Sequence, residues 1–506
     1  MSTTEVDARR LHEAFDYWCG HAPERPFLYL HDDTLSYAAV AALVDRAAHE
    51  LQQDGVRAGD RVLIVAENCP QHVALILACS RIGAWSCGVN ARMAPGEVAA
   101  FADKADARII YFTTAVSEAA SEHARRFAAR PSAIQGLERS PIRAQAVAET
   151  GPEAEGIAAI IFTSGTTGTP KGVLVTHRGL LHFARTSSES RRLGPDDRVY
   201  AYVPMTHIFG LGTVLAAALY AGAGLVMRTK FSPADVLDAL AHHGVSNLQG
   251  PPTLFARLLA YMDSEGITRP ACPHLKYLYT GAGPLSPELK QVVEERFGQP
   301  LFHGYGLSEY AGSPYVTSID SPRSDTSAGY AVEGAEVRIV DDEGKPLPAG
   351  ERGEIWIRGV GLTPGYFRDL EATRQAMKPG GWYASGDIGY LAPDGALFVV
   401  GRLKEMIIRS GFNVYPAEVE AVLNAFPAIH HAAVVGRGEA DGNEEILAFV
   451  EPRPGMKIDR TALREYLQER LAPYKRPSRI IELDTLPMTA SGKVLKRLLL
   501  EKYSDR

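Results

Sequence analysis

Short apolar runs alternate along this chain with longer segments in which apolar residues recur every three or four positions. Arg61-Val62-Leu63-Ile64-Val65 is apolar on both faces, which predicts a strand buried on both sides. Residues 71–81 then predict a helix, 85–89 a strand, 99–105 a helix and 108–112 a strand. Upstream, residues 9–52 read as helix, strand pair, helix. Such alternation predicts parallel sheets covered by helices. Residues 115–156 are rich in Ala, Glu and Arg and carry Pro131, Pro141 and Pro152, so they predict one helix and then an irregular surface segment. The alternation resumes with strands expected at 199–203, 223–227, 245–249, 276–280 and 300–304.

From about residue 328 the period shortens. Residues 337–340, 353–357 and 397–400 alternate, with Asp-Gly and Glu-Gly turns between them, and predict a smaller antiparallel sheet or barrel. The last stretch reads as a separate α+β unit. Val419, Val422, Leu423 and Phe426 share one helical face, and Leu463, Leu467 and Leu471 share another. The expected fold class is therefore α/β, with a large N-terminal domain over 1–402 and a small mobile α+β domain over 403–506. The large domain would combine parallel βα-layered sheets with the small antiparallel sheet.

Composition narrows the partners. With 506 residues the chain has room for a large core, and 46% hydrophobic with 22% charged residues is ordinary for a soluble enzyme. A net charge of −7 argues against a nucleic-acid partner, whose phosphates favour a basic surface. Cys19, Cys69, Cys79, Cys87 and Cys272 are scattered without metal-ligand spacing and read as mostly buried, reduced thiols. The first seven residues are polar and acidic, unlike a secretory signal. The longest apolar stretch, 211–227, is broken by Gly212, Gly222 and Gly224 into helix, turn and strand, too short and interrupted to span a bilayer. A cytosolic protein without integral membrane association is expected; a homodimer is left open.

One polar stretch organises the chemistry. In Thr163-Ser164-Gly165-Thr166-Thr167-Gly168-Thr169-Pro170-Lys171-Gly172, hydroxyls and glycines crowd between two apolar β-type runs. Strand, flexible loop, strand is the simplest reading. Backbone N–H groups, hydroxyls and the Lys171 charge suit phosphate oxygens. It is no Walker A loop, because Pro170 precedes the lysine and no Ser or Thr follows it. Read alone, it is equally a Ser/Thr/Gly-rich surface turn.

Further motifs follow in order. They are Pro204-Met205-Thr206-His207-Ile208-Phe209-Gly210, Thr280-Gly281-Ala282-Gly283-Pro284, His303-Gly304-Tyr305-Gly306-Leu307-Ser308-Glu309, Trp382-Tyr383-Ala384-Ser385-Gly386-Asp387, Gly401-Arg402-Leu403-Lys404-Glu405 and Pro487-Met488-Thr489-Ala490-Ser491-Gly492-Lys493. Individually each has a plain alternative. His207 reads as a structural hydrogen-bonder, Glu309 as an acid at a helix start, Asp387 as part of a Gly-Asp turn and Lys493 as a solvated charge.

Taken together, the polar loop and the later motifs resemble the adenylate-forming superfamily, which includes acyl- and aryl-CoA synthetases, luciferase and peptide-synthetase adenylation domains. The resemblance covers essentially the whole chain and is nearest to the acyl-CoA synthetases. It implies an acid–CoA ligase that uses ATP, Mg²⁺ and CoA. Thr163, Ser164, Gly165, Thr166, Thr167, Gly168 and Lys171 would cradle phosphates. Gly281, Ala282 and Gly283 would border adenine, with the Tyr305 ring against it, followed by Gly306. Ser308, standing for the family's threonine, would reach phosphate, and Glu309 would hold Mg²⁺. Asp387 would bind the ribose hydroxyls and Arg402 the ribose or phosphate. His207 would sit beside the acyl pocket, Lys404 would be the domain pivot, and Gly411 would line a pantetheine channel. Lys493 would bridge the carboxylate and the α-phosphate.

The resemblance also bears on the substrate. Segments 207–212, 250–253, 280–283 and 304–312 would form the acid pocket. Apart from Glu309 and neutral His207 they carry no charged side chain, and Gly304 stands where malonate-activating relatives have arginine. An uncharged alkyl or aryl monocarboxylic acid is expected, with Tyr310 shortening the pocket; a stand-alone enzyme loading a carrier protein is the alternative. Gly436-Arg437-Gly438-Glu439 departs from the family's Pro-Asp turn, and leaves Arg437 either as a phosphate contact or as a surface charge.

Overall fold

A computed structural model describes residues 6–163, 171–409, 412–438, 444–488 and 494–503. Among these residues the strands form two large sheets and three smaller ones. The seven-stranded sheet places Arg61–Ala66 between Ile109–Phe112 and Trp85–Asn90, all parallel. Its far edge is the antiparallel pair Ile157–Thr163 and Lys171–Thr176. The nine-stranded sheet runs parallel from Pro26–Tyr29 through Leu301–Leu307, with antiparallel additions at both ends. The sheets are thus mixed rather than all parallel. Several departures fall where connections are too short for a helical crossover, whereas Glu138–Arg139 runs antiparallel to Ile109–Phe112 across a connection that holds the helix Glu118–Arg126.

Both faces of the central strands are buried, as their unbroken apolar runs require. Val62 and Ile64 face one core while Leu63 and Val65 face another. The first of these cores also takes in Val199, Ala201, Leu225 and Met227 of the nine-stranded sheet. The helices Tyr37–Gln53, Pro70–Ile82 and His177–Ser190 contribute to it as well, so both large sheets close on a shared helical layer. The stretch after His207 is wound as a π-helix, Phe209–Ala216, before α-helix resumes at Ala217–Ala221. Gly210 and Gly212 leave no side chain to resist this widening, and such turns recur at functional sites.

The expected antiparallel sheet is present as Ala335–Val340, Gly353–Gly359, Trp382–Leu391 and Leu397–Arg402, with the short Met377–Lys378. The Trp382–Leu391 strand escapes a sequence reading because Gly386 and Gly389 interrupt its alternation. Asp387 therefore lies in a strand, paired with Arg402, and not in a turn. The 115–156 segment gives the predicted helix, Glu118–Arg126, plus two-residue strands that cap the sheet edge.

Hydrophobic cores of the described residues divide cleanly along the chain. Five draw only on residues up to Leu397, and two draw only on Ile407 and beyond. The C-terminal unit stacks the helix Pro416–Asn424 on the strands Ile429–Gly438 and Glu444–Pro452, with Arg479–Glu482 parallel at the edge. Val419 and Leu423 are buried there, as their spacing predicts. Glu418 ties the two parts, pairing with Arg352 on one side and Lys475 on the other. Arg437 pairs with Glu445 across the C-terminal sheet. No helix of the described residues is long and apolar enough to cross a membrane. Cys69, Cys79 and Cys87 are buried, while Cys19 and Cys272 are half-buried; burial pushes the Cys69 and Cys87 thiols up to about 12, which keeps both protonated and inert.

Candidate active site

The C-terminal part of Leu301–Leu307 in the nine-stranded sheet meets the antiparallel sheet around Tyr305, at the middle of Trp382–Leu391 and the end of Leu397–Arg402. This buried ring belongs to Leu301–Leu307, and its hydroxyl donates to Asp387 Oδ2 at 2.6 Å. Asp387 Oδ1 faces Arg402 Nε at 3.2 Å. The carboxylate is held from behind. Ser385 Oγ accepts from Asp387 N at 3.0 Å and donates to Ile355 O at 2.6 Å. Gly386 N donates to Glu354 Oε1 at 2.9 Å, and its φ of 71° is one that glycine adopts without strain. Burial and the neighbouring Asp387 carboxylate push the Tyr305 hydroxyl well above its usual range, so it stays a donor. Arg402 is raised by Asp387 and remains a half-exposed cation.

A second cluster adjoins it. Glu309, in the single turn Ser308–Tyr310, accepts at Oε1 from the Tyr366 hydroxyl at 2.9 Å. Tyr366 and Tyr383 share a hydroxyl contact of 3.0 Å. Lys171 Nζ lies 4.6 Å from the Tyr366 ring centre, a cation–π geometry. Two backbone bonds fix this arrangement: Leu174 N to Gly365 O, and Phe367 N to Gly172 O. Burial, then the Glu309 charge, raises both tyrosine hydroxyls. The two clusters feel each other, since Glu309 acts on Arg402 and Tyr305 on Tyr383. Thr163 pairs in register with Lys171 at the sheet edge.

The turn 281–283 follows the strand Tyr277–Thr280, with Ala282 at a φ of 62°, uncommon for a side chain with a Cβ. His207 accepts at Nδ1 from Phe209 N at 3.2 Å, and the Phe209 ring meets Tyr279 edge-on at 6.0 Å. Gly306 is exposed beside Tyr305 while Ser308 is buried. At Gly304 a Cβ would fall 2.2 Å from the Tyr279 hydroxyl and 3.0 Å from Tyr315 O, so packing alone excludes a side chain there. Lys404 lies in the turn Leu403–Glu405 directly after the antiparallel sheet.

Two corrections follow. Tyr310 does not line the acid pocket: its ring is fully buried against Gly359 and Gly361, and its hydroxyl faces Gly334 O at 3.4 Å. The left-handed Ala311 after it, φ 55°, turns the chain so that the ring enters the core beneath the antiparallel sheet. The second is an addition: the pocket segments carry no cation of their own, as read from the sequence, but one from outside them stands behind. Arg191, from the end of the helix His177–Ser190, is 1% exposed. Ser164, Gly165, Thr166, Thr167, Gly168, Gly411 and Lys493 lie outside the described residues. Tyr366, Tyr383, Glu354 and Arg191 were not singled out from sequence. Tyr383 lies within the Trp382–Asp387 motif but was given no role there; the other three belong to no motif, and only the folded chain brings them to the site.

The sequence profile of the AMP-binding enzyme family matches residues 15–367, and that of the AMP-binding enzyme C-terminal domain matches 418–493. This chain belongs to the AMP-binding enzyme family. Its relatives in the family include an indoleacetate–CoA ligase of Aromatoleum aromaticum, 33% identical with 96% of each chain covered. Another is 4-coumarate–CoA ligase 5 of Oryza sativa, 32% identical over 93% of this chain and 90% of that one. Among solved structures, ATP-bound MatB from Rhodopseudomonas palustris superposes with a TM-score of 0.86 at 28% identity, covering 98% and 99% of the two chains. The apo form of the same protein gives 0.75.

Proposed function

We propose that the chain is an ATP-dependent acid–CoA ligase. It activates an uncharged alkyl or aryl monocarboxylic acid as an acyl-AMP with release of pyrophosphate, then passes the acyl group to the CoA thiol. The observation that carries this reading is the continuous patch Tyr305–Asp387–Arg402 and Glu309–Tyr366–Lys171, where an aromatic ring, a carboxylate pair and two cations converge. The names of the relatives, CoA ligases of aryl acids, support it.

In the first step the acid, ionised near neutral pH, attacks the α-phosphorus and pyrophosphate leaves. No protein nucleophile is needed, so catalysis is positioning and charge stabilisation. Asp387 would accept the ribose hydroxyls on lone pairs not used by Tyr305 and Arg402. Gly281, Ala282, Gly283 and the Tyr305 ring would enclose adenine, with Gly306 leaving its open side clear. Thr163, Ser164, Gly165, Thr166, Thr167, Gly168, Lys171 and Ser308 would hold the phosphates, while His207 flanks the acid. Lys493 would bridge acid and phosphate.

Glu309 would hold Mg²⁺. Among the described residues no three His, Cys, Asp or Glu converge, which suits an ion shared with nucleotide phosphates and not a resident cage. Bound there, the ion neutralises phosphate charge. Tyr366, kept protonated and itself in hydroxyl contact with Tyr383, would orient the carboxylate that receives it.

The second step is attack of a thiolate on the mixed anhydride. Residues 1–402 would act as the body and 403–506 as the mobile lid, pivoting at Lys404 and presenting Gly411 to pantetheine. The separate cores either side of 398–406 support that division. The better superposition on the ATP-bound than on the apo neighbour supports an arrangement suited to the first step.

The test is pyrophosphate release across a panel of acids, with and without CoA, alongside mass detection of the thioester. Pyrophosphate and acyl-CoA in equal amounts are expected for at least one acid. An acid that yields pyrophosphate while CoA remains unacylated would reassign the acceptor, and silence across the panel would overturn the reading.

A further inference from the structure

We propose that Arg191 reads a hydrogen-bond-accepting oxygen at the far end of the acyl group, so that the preferred acids are uncharged ones bearing a hydroxyl, ether or carbonyl oxygen remote from the carboxylate. The inference rests on the ligase reading above. It starts from a guanidinium that is buried without an acid. Nε donates to Ser187 O at 3.1 Å and Nη1 to Gln249 Oε1 at 2.6 Å. Nη2 donates to Ser187 Oγ at 3.0 Å and to Thr213 O at 2.6 Å. A guanidinium has five N–H groups. The second one on Nη1 meets no acceptor among the described residues. Asp197, whose charge acts on it, is engaged by Lys276 at 2.6 Å and Ser246 at 2.7 Å. Burying a cationic donor without its full set of acceptors is costly.

A slot lies against this group. Phe183, Ser187, Arg191, Thr213, Tyr279 and Val316 line it. Its walls are shared with the candidate acid pocket. The Phe183 ring would stand 3.0 Å from a Cβ at Gly212 and 2.3 Å from one at Gly312, and the Tyr279 hydroxyl stands over Gly304. The slot therefore lies immediately behind the segments expected to hold the acyl group. Its size chooses between ligands. A volume of about 10 Å³ for the centre of a water-sized sphere admits one oxygen. A carboxylate or sulfonate tail, with two or three oxygens, does not fit. One unmatched donor and room for one oxygen select a single neutral acceptor.

A site built to hydrogen-bond a substrate oxygen discriminates against the analogue that lacks it. Here a water can take the oxygen's place, so the ratio is expected to be roughly 10- to 100-fold, below the limit for a site that water cannot enter. The experiment uses matched acids, ω-hydroxy or ω-keto against alkyl and hydroxy- or methoxyaryl against aryl, over several lengths. kcat/KM is measured by pyrophosphate release. At least one oxygenated acid should exceed its deoxy partner by tenfold or more in the wild-type enzyme. Arg191→Met should bring that ratio to within about twofold, mainly through KM of the oxygenated acid, and Arg191→Lys should restore part of it. Turnover of both partners at equal kcat/KM throughout the panel would overturn the proposal and leave the ligase reading standing. So would equal loss on both partners in an Arg191→Met protein with an unchanged melting temperature. If that variant is unfolded, the wild-type ratios decide alone. Absence of pyrophosphate with every acid would instead remove the ligase reading itself.

Discussion

The proposed nucleotide end and the proposed acid end of the site are built on different physics. At the proposed nucleotide end, Asp387 accepts from the neutral Tyr305 hydroxyl on one oxygen and faces the half-exposed Arg402 cation with the other, and Glu309 accepts from the neutral Tyr366 hydroxyl. At the proposed acid end, the buried cation Arg191 stands behind segments 207–212 and 304–312, solvated by carbonyl, amide and hydroxyl oxygens. The first design suits a ligand that brings its own charge, as a nucleotide does. The second suits an apolar ligand with one oriented polar atom. Chemistry common to a family belongs to the first, and choice of substrate to the second.

Four substitutions probe this contrast. Lys493→Ala carries the largest expected effect. Loss of one group that stabilises developing charge costs about 10²–10³ in rate, so adenylate formation should fall by that factor. Conversion of a supplied acyl-adenylate to thioester should persist; equal loss of both half-reactions would break the division between two domain arrangements. Asp387→Asn comes next. Hydrogen bonds to charged groups contribute about 1.5–3 kcal/mol, so kcat/KM for ATP should drop about 10- to 100-fold by the same factor for every acid. A factor that varied with the acid would mean the two ends are not separate.

Tyr366→Phe removes the donor to Glu309 Oε1 and with it the hydroxyl contact to Tyr383. Groups that orient a metal ligand affect affinity by about 10- to 100-fold, and the low end is expected here because Tyr383 stays nearby. The Mg²⁺ concentration for half-maximal adenylation should rise while KM for the acid is unchanged. The smallest effect is a pH dependence of stability at the start of the helix His177–Ser190, against the N-terminal segment. His177 opens the helix that carries Arg191, and its Nδ1 accepts from Leu11 N at 3.2 Å. Burial, then Arg10, lowers it to about 3 in the fold against 6.5 for the free side chain. The unfolded chain therefore takes the proton first. Stability from this group is complete above pH 6.5 and is lost as pH falls toward 3. The melting temperature should decline over that interval, and His177→Asn should flatten part of the decline.

Much of this was legible in the sequence, and for a physical reason. Strands buried on both faces must be apolar throughout, so Arg61–Ala66 and its neighbours announce themselves. The motif residues Tyr305, Glu309, Asp387 and Arg402 were legible because each sits in a short recognisable motif, although Tyr305 meets Asp387 across 82 positions that only the fold closes. Tyr366 and Arg191 were not legible. Tyr366 reaches Glu309 across 57 positions and Arg191 reaches Gln249 across 58, and neither carries a local pattern. Tyr310 misled because its position in the motif suggested a pocket wall, whereas the left-handed Ala311 sends the ring into the core.

The chemistry at the junction of the two ends can be read from one isotope measurement. With an acid labelled by ¹⁸O in its carboxylate, turnover with ATP and CoA should place one labelled oxygen in AMP and none in pyrophosphate, because the carboxylate oxygen that attacks the α-phosphorus stays on it when the thiolate displaces AMP. Label in inorganic phosphate with ADP as the nucleotide product, or an AMP free of label, would contradict the account.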